Sequence, residues 1–106
     1  MIKVAINRSR AGKITSVQLN GHGDASKVCP AVSLLVLNTA NSIEALTDEA
    51  FTCDYNEDGG FIHIQVKNPG SEASLLLEAC VLGLYSVQET YNDDISIVEV
   101  KDGKHD

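Results

Sequence analysis

Apolar and polar positions alternate from the first residues of the chain. Ile2, Val4 and Ile6 are separated by Lys3, Ala5 and Asn7, the period of two that marks a strand with one buried face. Arg10-Ala11-Gly12-Lys13 reads as a turn, with Gly12 free to take positive φ. A second strand follows from about Ile14 to Asn20 with Val17 and Leu19 turned inward, and the two strands form an N-terminal hairpin. Gly21-His22-Gly23-Asp24-Ala25-Ser26-Lys27 is too polar and too rich in glycine for regular structure, so it reads as a loop.

From Val28 to Ile43 no residue is charged, a length and composition that predict a buried helix. Leu34, Leu35, Val36 and Leu37 cover more than one stripe of it. A helix apolar almost all round needs cover on several sides, from a sheet and from something further, which in so small a domain can be a second subunit. Thr52 to Tyr55 and Phe61 to Lys67 read as strands joined by a turn at Asn56-Glu57-Asp58-Gly59-Gly60, with Ile62, Ile64 and Val66 on one face and Phe61, His63 and Gln65 on the other. A second helix is predicted from about Ser71 to Thr90, carrying Leu75, Leu76, Ala79, Leu82 and Leu84. A last strand, Ile95 to Val100, precedes a polar tail, Lys101 to Asp106, expected to fray. The order ββαββαβ implies an α+β fold in which two helices pack on a largely antiparallel sheet. At 106 residues the chain is long enough for one core and one domain, 1–106.

Composition narrows the function classes. No run approaches the roughly 20 apolar residues of a membrane span, and the start lacks a basic region followed by a cleavage site, so the cytoplasm is the expected compartment. Three cysteines in such a chain read as thiols, not as a disulfide framework. The net charge of −7 is unevenly spread. Through Ile43 there are five basic residues against one acid, Asp24; from Glu44 onward there are three lysines against fourteen acids. An acidic body repels phosphate backbones, which argues against direct nucleic-acid binding and for a basic or neutral partner. Acidity also serves solubility alone, and most of these carboxylates need no other role.

Candidate chemistry gathers at one place. Proline is tolerated at the first helical position, so Pro30 there would put Cys29 at the N-cap, where the free N–H groups and the positive end of the helix dipole stabilise a thiolate. Cys29 stands seven positions after His22 across a glycine-bearing loop, enough to bring the imidazole back within hydrogen-bond reach. Such a pair is an activated nucleophile with its base. Ser33 lies one turn beyond Cys29 on the same face, placed either to bond substrate or to ease helix packing. Asp24 can orient His22 as a third group, but two residues away it more simply bonds local backbone in a turn. Cys80, amid Leu77, Ala79, Val81 and Leu82, reads as a buried small hydrophobe, and Cys53 has no activating neighbour. His63 and His105 read as solvated. His22, Asp24 and Cys29 do not make a recognisable zinc set without a C-x-x-C pair, and no phosphate-cradling glycine loop is present, so neither metal nor cofactor is expected.

As a string, Gly21-His22-Gly23-Asp24 followed by Val28-Cys29-Pro30-Ala31-Val32-Ser33 resembles the signature of the Prp family of ribosomal-processing cysteine proteases. The resemblance extends to the length and to the ββαββαβ order. It implies a homodimeric endopeptidase that removes a short N-terminal extension from a bacterial large-subunit ribosomal protein, number twenty-seven in the standard naming. It also implies Cys29 as nucleophile, His22 as general base and acid, and Ser33 as the accompanying serine. Two departures stand out: the loop from His22 to Cys29 is short for the family, and the residue after the cysteine, commonly alanine, is Pro30. Position 30 therefore has no N–H for an oxyanion, which falls to the Cys29 N–H or to donors such as Ala31. The competing readings are a non-catalytic dimeric binding module associated with ribosome assembly, in which Cys29 only caps a helix, and a redox or acyl-carrying thiol enzyme.

Overall fold

The structure, a computed structural model, describes residues 1–21, 28–56 and 60–101, with the backbone alone at 28 and 29. The elements are β1 (Ile2–Arg8), β2 (Ile14–Asn20), α1 (Val28–Leu46), β3 (Thr52–Tyr55), β4 (Phe61–Gln65), α2 (Ser71–Thr90) and β5 (Ile95–Lys101). The strands form one sheet in the order β3-β4-β2-β1-β5. Three of its pairings are antiparallel, while β5 lies parallel to β1, with Ile2 beside Ile95 and Arg8 beside Lys101. Both helices sit on one face, so this is the predicted α+β fold with a mixed sheet.

The alternation read from the sequence is the alternation of burial. Ile2, Val4, Ile6, Val17, Leu19, Ile62 and Ile64 are sealed under the helices, while Lys3, Ala5 and Asn20 face out. From above, Val32, Val36, Ala40 and Ile43 of α1 close the core with Ala73, Leu77, Cys80 and Leu84 of α2. The helices approach closely at Gly83, where an added Cβ would stand 2.8 Å from a methyl of Leu35.

Several boundaries differ from the sequence reading, each for a physical reason. α1 runs on to Leu46, because Glu44, Ala45 and Leu46 are good helix formers on its exposed side, and the Thr47 hydroxyl ends it by donating to the Ile43 carbonyl at 2.7 Å. β4 stops at Gln65 as the chain turns through Lys67-Asn68-Pro69 toward α2, although Val66 remains buried and donates to the Thr15 carbonyl. Lys101, expected in a frayed tail, closes β5; residues 102–106 lie outside the described residues.

Candidate functional site

The site is framed by the two ends of the segment that joins β2 to α1. β2 delivers Gly21 at φ 119, a conformation that disfavours any side chain. A Cβ there would also meet the Met1 carbonyl oxygen at 2.7 Å, so glycine is required twice over. Gly21 donates its N–H to the Gly60 carbonyl (3.1 Å), tying the start of the segment to the head of β4. His22 and Asp24 lie outside the described residues, as does the rest of 22–27.

α1 begins at Val28, so Cys29 is its second residue and Pro30 its third, not the cap and the first residue. Pro30 is tolerated in this first turn because the first four N–H groups of a helix have no acceptor inside it. Removing one at Pro30 therefore breaks no helical bond. The N–H groups of Val28 and Cys29 belong to this unpaired set, and they stand at the positive end of a 19-residue helix. Pro30 is exposed, and Ser33, one turn beyond Cys29, is half-buried.

The other two cysteines are not poised for nucleophilic work. Burial pushes the Cys80 thiol up, with only a hydrogen bond from Thr39 opposing it. Cys53, on β3, is pushed up first by burial and then by the neighbouring Asp54. Both are free thiols. His63 is half-buried and packs edge-on to Phe61 with ring centroids 6.4 Å apart. Of the residues singled out in the sequence, the described structure thus places Ser33 and the backbone of Cys29 on one turn of α1, and puts Cys53 on β3, His63 on β4 and Cys80 on α2.

One surface feature escaped the sequence reading. A groove of about 280 Å³ runs between α1 and β3, lined in part by Leu37, Ala40 and Cys53. Its only sequence signal was a pair of apolar residues, Leu37 and Ala40, on the flank of α1 that Cys29 begins. Among the described residues no helix is long and apolar enough to cross a membrane.

A family model described as cysteine protease Prp matches residues 1–96. A ribosomal processing cysteine protease Prp from Staphylococcus aureus is 33% identical over 103 residues, covering 92% of this chain and 97% of that one. Among solved structures, an essential ribosomal processing protease Prp from S. aureus, held with a covalently linked product peptide, superposes with a TM-score of 0.87 at 32% identity. A structure of that protease with a substrate peptide gives 0.86 at 30% identity. Both span 94% of this chain and 100% of the other.

Proposed function

This chain belongs to the Prp family of cysteine proteases, and from that membership we propose that it is a ribosomal-processing endopeptidase whose nucleophile is Cys29 and whose general base and acid is His22. The reading rests above all on the position of Cys29 within the first turn of α1. There the helix dipole and the unpaired N–H groups favour thiolate over thiol.

The chemistry follows from those two groups. The Cys29 thiolate attacks a peptide carbonyl, forming a C–S bond and moving the carbonyl electron pair onto oxygen. The resulting oxyanion needs donors, and the N–H groups of Val28 and Cys29 are the ones the helix leaves over. The imidazolium of His22 gives its proton to the amine as the C–N bond breaks. Neutral His22 then takes a proton from water, the hydroxide adds to the thioester, and loss of the thiolate restores the starting ion pair. Ser33 is the accompanying serine of the motif, and Asp24 an accessory group that can hold His22.

The substrate is the precursor of the large-subunit ribosomal protein number twenty-seven, from which the enzyme removes an N-terminal extension in the cytoplasm, acting as a homodimer. Charge supports a basic partner. Fourteen of the fifteen acids follow Ile43, and such a field draws a cationic protein while repelling RNA. Incubated with the precursor from the same cell, the chain should release one defined N-terminal peptide by mass spectrometry, and Cys29→Ser should release none. Cleavage efficiency should fall as salt is raised. Release of the same peptide by the serine variant would remove Cys29 from the mechanism, and salt-independent rates would remove the steering.

A further inference from the structure

β3 is an edge strand: β4 pairs with one side of it, and no other described strand pairs with it. The Asn56 N–H donates to the Phe61 carbonyl at 3.0 Å, and backbone groups alternate sides along a strand. Hence Cys53 and Tyr55 turn their N–H and C=O groups to the open edge. Their side chains turn toward the helices, as their register partners Ile64 and Ile62 in the core require. Beside this edge lies the 280 Å³ groove, with Leu37, Ala40 and Cys53 as its floor and the exposed Asn41, Glu44 and Tyr55 at its rim.

The α1 wall of the groove lies on the flank of the helix that begins at the proposed catalytic turn. Positions 29, 33, 37, 41 and 44 follow one another along one side of α1. The Gly21 end of the sheet is also the Tyr55 end, since Asn20 pairs with Phe61 and Phe61 with Asn56. Along the helix axis Leu37 lies about 12 Å and Glu44 about 22 Å from Cys29, distances that an extended chain covers in roughly four and seven residues.

We propose that this groove is a substrate subsite, in which an extended segment of the cleaved polypeptide adds to the open edge of β3. It lays an apolar side chain over Leu37, Ala40 and Cys53 and brings a cationic side chain to Glu44. The inference deepens the protease reading and rests on it. Strand addition suits this surface because main-chain groups on the edge supply affinity while pockets between alternate side chains supply selectivity. The acid at the far rim suits a basic substrate, and no new element has to form to complete the site.

Two measurements test it on the full chain. Asn41→Trp fills the groove from an exposed position; it should raise KM for a long precursor peptide by about tenfold with little change in kcat. On a peptide trimmed to about three residues on either side of the cut, too short to reach Leu37, it should change nothing. In the Cys29→Ser chain, where no cleavage competes, the long peptide should protect Cys53 from a maleimide and the trimmed one should not. Equal KM for wild type and variant on the long peptide would overturn the subsite. So would an equal loss on both peptides, or Cys53 labelling indifferent to the long peptide. Protection that grows with protein concentration and no peptide would give the groove to a second copy instead. If the wild-type chain cleaves neither peptide, it is the protease reading that fails, a result separate from each of these.

Discussion

Cys29, Cys53 and Cys80 carry the same atom in three environments, and the differences between them are electrostatic. A helix start favours the ionised form; burial favours the neutral one, and at Cys53 the adjacent Asp54 adds to it. Iodoacetamide at mildly acidic pH should therefore modify Cys29 at least about tenfold faster than Cys53 or Cys80, because each pKa unit changes the thiolate fraction tenfold. His22→Ala should slow that reaction. Peptide mapping of the alkylated protein measures all three at once, and uniform labelling would deny Cys29 any activation. At this scale much was legible beforehand. Cys80 reads as core because leucine, alanine and valine surround it in the sequence, and Cys53 lacks a cationic neighbour. The exact place of Cys29 in its helix was not, since proline is compatible with more than the first position of a helix.

Among the elements, α2 shows what a linear reading misses. Its N-cap is Gly70, which has no side chain to offer. The cap comes instead from Glu49, before β3, whose carboxylate accepts from the Gly70 N–H and, at 2.8 Å, from the Ala73 N–H. Those two backbone bonds, Ala73 first, hold the Glu49 carboxyl below its ordinary value of 4.5. Because the folded value is depressed, the stabilisation is present in full above pH 4.5 and is lost as pH falls through the lowered value. Glu49→Gln should lower Tm at neutral pH, and the gap from wild type should close on acidification. Thermal melts across that range check it, and a gap that persists at low pH would assign the loss to packing. No capping signal near Gly70 pointed to a residue 21 positions earlier. Arg8 likewise gathers distant elements, donating from β1 to Glu78 on α2 and Glu99 on β5 at 2.7 and 2.6 Å.

At the scale of the whole molecule, the helix layer leaves apolar surface uncovered. α1 meets the sheet with one side and α2 with another, which accounts for much of its all-round apolar character. Leu34 nonetheless stays 70% exposed, and Leu82 of α2 71% exposed. Exposed leucines on both helices of one layer are what a homodimer would bury. Sedimentation velocity should find twice the monomer mass of 11.4 kDa; a single species at monomer mass across concentrations would remove the second subunit from the proposal.

The division between sequence and tertiary structure follows from the range of the forces involved. Periodicity, turn chemistry and the Gly-His and Cys-Pro pairs are local, and from them the seven elements, the inward faces and the candidate nucleophile can all be read. Strand direction and neighbourhood are not local. Alternation looks the same in parallel and antiparallel pairing, so nothing in Ile95–Lys101 announced that β5 would run parallel to β1. Nor did Thr52–Tyr55 announce that β3 would end up at an edge beside α1. Those outcomes depend on how two helices pack over one sheet, and with them come the remote cap on α2 and the groove between α1 and β3.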